Sequence, residues 1–167
     1  MLHLLFEKAK LLKDIAKQIA NIELSIATLL DKNSSIKQQC DNLQTIPGVG
    51  KITAIAILAE VPDFLAFENA RQLAAYAGLT PKQRTSGSSL RGRSRLSKIG
   101  SANLRKALYF PAISAKNHNP LLKEFADRLK DKGKCTMVII GAVMHKLLHI
   151  TFGVIKHHTP FITSVYS

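Results

Sequence analysis

The sequence predicts an all-α fold, and three observations carry that expectation. An apolar heptad runs through residues 4–43. Pro and Gly then punctuate the chain at helix-length intervals, at Pro47, Pro62, Gly78, Gly100 and Gly133. No stretch alternates apolar and polar residues as a half-buried strand would.

The heptad comes first. Leu5, Leu12, Ile19 and Ile26 fall seven apart, and Ile15, Ile22 and Leu29 each follow a member of that set by three. Ile36, Cys40 and Leu43 continue the register, with Asn33 as a polar interruption. So narrow a seam, with Lys, Gln, Asp and Glu on the other faces, favours pairing of two helices, as in a homodimer or higher oligomer. The bland alternative is an amphipathic helix lying on the domain's own core.

A helix should end near Gln44, and Pro47-Gly48 should force a tight turn. Lys51 opens an apolar helix that Pro62 stops. Residues 68–77 suit a short helix, closed by Gly78 and Thr80-Pro81. A polar segment follows to about Gly100. Ser101 starts another helix, with Pro111 as the site of a kink. Asn119-Pro120 starts a charged helix that Gly133 breaks, and residues 135–156 make a last apolar helix. The expected domains are a dimerisation helix over 1–43 and a helical domain over 44–167, with a helix–hairpin–helix at 43–61 and a basic Ser/Gly loop at 82–100.

Hydrophobic residues are 46% of the 167, enough for a real core. The net charge of +13 speaks about partners rather than fold. Between Asn69 and Lys123 there is no Asp or Glu but eleven Lys or Arg. A polyanion is the expected partner of this middle stretch. No run reads as a membrane span, and the N-terminus does not read as a signal peptide. Cys40 and Cys135 make no metal or disulfide pattern, so a reducing cytoplasm is the expected compartment, with the protein on the nucleoid.

Two segments carry chemistry. The turn IPGVGK, residues 46–51, has the apolar-Pro-Gly-apolar-Gly-Lys pattern of a helix–hairpin–helix. Gly48 and Gly50 keep side chains out of the turn, and Val49 tucks between the helices. The N–H groups opening the next helix can then meet a phosphate, with Lys51 beside it. An αα-hairpin without ligand is the alternative. Phosphate binding of this kind positions DNA without reading bases.

The second segment, residues 84–106, holds three glycines, seven Lys or Arg and no acid. Arg84, Arg91, Arg93, Arg95, Lys98 and Arg105 are candidates to neutralise phosphates and make binding steeply salt-dependent. Ser86-Gly87-Ser88 lies among them. A serine so placed could be a nucleophile for phosphoryl transfer, though a flexible DNA-contacting loop has the same composition. His145 and His149 lie four apart in HKLLH, but Lys146 stands where a zinc protease has Glu, so no metal site is expected. Asp63 and Glu68 do not make a nuclease site, so the chain alone should be catalytically incomplete.

TIPGVGKITAIAILAEV, FENARQLAAYAGLTPKQRTSGSS and RLSKIGSANLRKALYFPA, in that order and spacing, resemble the C-terminal domain of the insertion-sequence transposases related to the pilin-gene invertase Piv. The resemblance covers roughly residues 40–160. It implies a full enzyme with an N-terminal RuvC-like domain bearing a DEDD carboxylate site for Mg2+, then a coiled coil, then this domain. It implies DNA as partner, with a bridge RNA as guide in several members. It also implies a serine nucleophile that links covalently to DNA, which maps onto Ser86. Family members commonly carry a second glycine where this chain has Ser88, so Ser88 is the alternate. No cofactor is expected in these 167 residues, which read as a fragment lacking the carboxylate domain. The competing function is a non-catalytic, dimeric helix–hairpin–helix module for DNA or RNA. Binding to a membrane surface is a weaker third reading, because the basic loop offers no apolar insertion face.

Overall fold

The computed structural model describes residues 2–61, 63–82, 85–86, 90–91 and 95–162. The chain divides into two units, Met1–Gln38 and Gln39–Ser167. The class is all-α, with seven helices among the described residues.

In the first unit, α1 runs over Leu2–Lys32. At 1.5 Å per residue it is about 46 Å long. It holds no Gly or Pro, and its seam residues Leu12, Ile15, Ile19, Ile22 and Leu29 are exposed in the single chain. The heptad is not one unbroken helix. It breaks at Asn33, where α2 begins and runs over Ser34–Gln44. The Asn33 Oδ1 accepts from the Ile36 N–H at 3.3 Å, which lets the side chain open a new helix in place of a continued ladder. Lys37 and Asp31 pair at 2.7 Å on either side of the break.

The heptad register also changes purpose. Cys40 and Leu43, which continue the seam in the sequence, are buried in the core of the second unit. Burial pushes the Cys40 thiol up, helped by Asp41, so this cysteine is a packing residue.

The second unit is built around α7, Thr136–His157, which packs against α4 (Ala70–Tyr76), α5 (Ala102–His118) and α6 (Pro120–Asp131). Helix α3, Lys51–Glu60, lies on α5. Leu43, Ile46, Ile57, Leu73, Leu79, Leu104, Leu108, Leu122, Leu147 and Leu148 are fully buried. Each such side chain contributes about 1.5–3 kcal/mol. The absence of Trp is thus made good by Leu and Ile.

By length and composition α7 is apolar enough to cross a membrane, contrary to the expectation that no run would be. Its apolar window is 67% buried among the other helices, where it serves as the core helix.

The helix ends follow from side-chain caps. Asn69 accepts from the N–H groups of Arg71 and Gln72 and opens α4. Ser101 accepts from the Leu104 N–H and opens α5. Asn119 ends α5 and opens α6, its Oδ1 taking the Leu121 and Leu122 N–H groups, with Pro120 in the first turn. Helix α5 runs on through Pro111 to His118.

Between α4 and α5 the polar segment is not a shapeless loop. Strand β1, Pro81–Lys82, pairs antiparallel with β4, Arg95–Leu96. Farther out, β2, Thr85–Ser86, pairs antiparallel with β3, Leu90–Arg91. These two-residue ladders escape a search for alternation because each is shorter than a period-two pattern needs.

Candidate nucleic-acid interface

Two structures bear the candidate residues. The first is the turn between α2 and α3. Its backbone closes by bonds from Ile46 N–H to Leu43 O and from Val49 N–H to Ile46 O. Val49 is buried in the core, so it shapes the turn from inside. Gly48 has φ of 101° and lies against the backbone of Ala115 on α5, where a Cβ would collide. That close approach fixes the turn to α5. Gly50 caps α3 with no side-chain hydrogen bond. The first helical bond runs from Ala54 N–H to Gly50 O, so the N–H groups of Lys51, Ile52 and Thr53 have no intrahelical acceptor. Lys51 and Ile52 are exposed.

The second is the basic excursion. Its ladders place Ser86 opposite Leu90. Arg84, Ser88 and Arg93 lie outside the described residues, as do the side chains of Ser86, Arg91 and Arg95. At the foot, Leu96 packs on Gly141 of α7, which anchors the excursion to the core helix. The Ser97 N–H bonds to Thr80 O and the Lys98 N–H to Gly78 O. Lys98 is exposed and has a left-handed backbone, φ 56°.

Arg105 departs from the simple expectation of a free phosphate-binding cation. It is half-buried, and its Nη1 donates to Ala77 O at 2.8 Å and to Gly100 O at 3.4 Å. It ties the end of α4 to the start of α5. Nothing in the sequence around it distinguishes such a brace from the neighbouring Lys106.

Glu60 does not stand out in the sequence as a site residue. Its carboxylate accepts from the Ser101 hydroxyl at 3.1 Å, across 41 residues of sequence. A carboxylate from outside the stretch without acids therefore reaches the foot of the excursion. Asp63 accepts from the Leu65 and Ala66 N–H groups, and Glu68 accepts from the Gln72 side chain. Both acids are engaged in turn and cap hydrogen bonds. Among the described residues no three His, Cys, Asp or Glu side chains come together as a metal-binding group.

His145 and His149 stack on α7 with ring centroids 4.4 Å apart, and His149 Nε2 is buried without a partner. Burial first, then His145, Lys146 and Arg71, pushes His149 down to about 4. The folded state thus binds its proton later than the unfolded chain, whose ordinary value is 6.5. Stability should be unaffected by this group above pH 6.5 and should fall as pH drops from there toward 4. Urea midpoints measured across that range should decline, and His149→Leu should flatten the decline.

The comparisons with known proteins bear on this arrangement. Residues 40–127, more than half of the chain, match the family described as Transposase IS116/IS110/IS902 family. The chain belongs to this transposase family. Its match begins at Cys40, spans the turn and the basic excursion, and ends in α6. The chain is similar to the pilin gene-inverting protein of Moraxella bovis, 35% identical over 144 residues, 86% of this chain and 45% of that protein. It is similar to the insertion element IS110 43.6 kDa protein of Streptomyces coelicolor, 30% identical over 117 residues, 70% of this chain and 29% of that protein. It is also similar to the transposase for insertion sequence element IS1111A of Coxiella burnetii, 40% identical over 83 residues, 48% of this chain and 22% of that protein. The chain spans less than half the length of these relatives.

Proposed function

We propose that this chain is the DNA-binding, nucleophile-bearing C-terminal part of a transposase or site-specific recombinase related to the pilin-gene invertases. The observation that carries the reading is the basic excursion itself. An acid-free, arginine-rich segment carries two antiparallel ladders, β1 with β4 and β2 with β3, and is rooted on α4, α5 and α7, with Ser86 in β2.

Arg84, Arg91, Arg93, Arg95 and Lys98 neutralise phosphates along one strand. Arg105, besides any role toward DNA, holds the foot of the excursion in place. The Gly48–Lys51 turn takes a further phosphate on the N–H groups that open α3. Helix α1 joins a second copy through its exposed seam. A structured guide RNA is a second polyanion suited to the same cations.

Ser86 Oγ attacks a backbone phosphorus. Its bond to phosphorus forms as one P–O bond of the strand breaks, and the departing strand end carries a hydroxyl. Ser88 is the alternate nucleophile. Mg2+ would supply charge neutralisation on the phosphate, held by carboxylates outside these 167 residues, because Asp63 and Glu68 are engaged elsewhere. The chain alone therefore binds DNA in the cytoplasm and cuts nothing.

Titration of the chain against duplex DNA, branched DNA and structured RNA at several salt concentrations tests this reading. Binding that weakens linearly in log salt is expected, with no covalent adduct in magnesium. A covalent adduct formed by the chain alone would refute its incompleteness. Absence of binding at low salt would leave no support for the reading.

A further inference from the structure

We propose that Ile99 is an apolar wedge that enters a stack of bases, an inference that rests on the reading of this chain as a nucleic-acid-binding domain. The side chain is 70% exposed, at the foot of the basic excursion. A single exposed isoleucine on a loose loop needs no explanation. This one is held on backbone that its surroundings over-determine.

Lys98, just before it, has φ of 56°, a conformation that costs free energy for any residue with a Cβ. Gly100, just after it, has φ of 128°, and a Cβ there would run into Tyr76 O. A Cβ on Gly78 would meet the Ile99 carbonyl and Arg105 Nη1. Backbone bonds pin both flanks to the end of α4. The Lys98 N–H reaches Gly78 O at 3.1 Å, and the Ser101 N–H reaches Tyr76 O at 2.8 Å. Arg105 closes the same turn through Ala77 O and Gly100 O. Strain of this kind persists only where the neighbourhood enforces it, and it collects at functional positions. The result is a rigid pedestal that leaves the apolar Ile99 side chain, stiff at χ1, largely exposed.

The surroundings choose the occupant. Ile99 lies within the stretch from Asn69 to Lys123 that has no acid and eleven Lys or Arg. Lys98 beside it is exposed, and the one carboxylate bonded into the turn, Glu60, is engaged by the Ser101 hydroxyl. An exposed apolar side chain beside an exposed cation matches the requirement for unstacking a base step while a neighbouring phosphate is held. Such a wedge acts most readily where stacking is already weak, at a flexible pyrimidine–purine step or an unpaired base.

The test uses the purified 167-residue chain and two duplexes that differ only in one unpaired adenine, with 2-aminopurine as its neighbour. The chain should bind the bulged duplex about tenfold more tightly than the perfect one, with a rise in 2-aminopurine fluorescence. Ile99→Ala should bind the perfect duplex with an unchanged salt slope but lose both the preference and the rise. Ile99→Leu should keep them. Wild-type binding without the fluorescence rise would overturn the proposal, and so would an Ile99→Ala variant that keeps it. If Ile99→Ala changes only the oligomeric state, seen by light scattering, the residue belongs to a protein interface and the wedge is wrong. If wild type binds neither duplex at low salt, the nucleic-acid reading fails first and the inference falls with it.

Discussion

In the full-length enzyme, Ser86→Ala is expected to abolish the covalent protein–DNA linkage and, with it, recombination. The loss should be on the order of a thousandfold or more, because the proposed covalent intermediate would form through this hydroxyl. DNA affinity should hardly change, since a hydroxyl is not a phosphate-neutralising group. Ser88→Ala should retain most activity. The choice follows the family resemblance, which maps the nucleophile onto Ser86, a residue of β2 opposite Leu90. Gel-shift of a denatured protein–DNA adduct reads the linkage directly. Full recombination by Ser86→Ala would remove Ser86 from the mechanism, and an inactive Ser88→Ala would transfer the role to Ser88.

The second large effect is on assembly. Ile19→Asp combined with Ile22→Asp should convert the chain from an oligomer to a monomer at micromolar concentration. Ile19 and Ile22 are 52% and 60% exposed in the single chain, one helical turn apart on a seam with Leu12, Ile15 and Leu29. Burial of each isoleucine against a second helix would contribute about 1.5–3 kcal/mol, and a carboxylate in its place would be desolvated as well. Lys17→Asp, on the outer face of the same helix, should leave the assembly intact. Light scattering at several concentrations decides the matter. An unchanged oligomer in the double variant would mean that the seam is not the interface.

The helices are legible because their ends carry chemistry that is local in sequence. Asn69, Ser101 and Asn119 each cap a helix with their own side chain, and Gly78 and Gly133 end one with a positive φ. Such signals need no knowledge of the rest of the chain. The heptad is legible as periodicity, but its change of use is not. Cys40 and Leu43 keep the register of Ile36, yet they are spent on packing in the core, which only the tertiary fold decides. The paired excursion is hidden because two-residue ladders among Ser, Gly and Arg leave no pattern. Arg105 and Glu60 show the same limit at the candidate site. In the sequence one looks like a free cation and the other like an ordinary surface acid. Their roles depend on carbonyls and a hydroxyl brought together over 28 and 41 residues. Charge can be read from sequence, whereas which charges remain available cannot.

The basic excursion as a holder of the sugar–phosphate chain is the central claim. A salt titration of duplex binding by wild type and by the triple variant Arg91→Glu, Arg93→Glu, Arg95→Glu measures it. Wild type should show a steep log–log slope. The variant's slope should shrink by about 0.9 for each phosphate that is no longer neutralised, with far weaker binding at low salt. A folded variant with wild-type affinity and an unchanged slope would contradict the account.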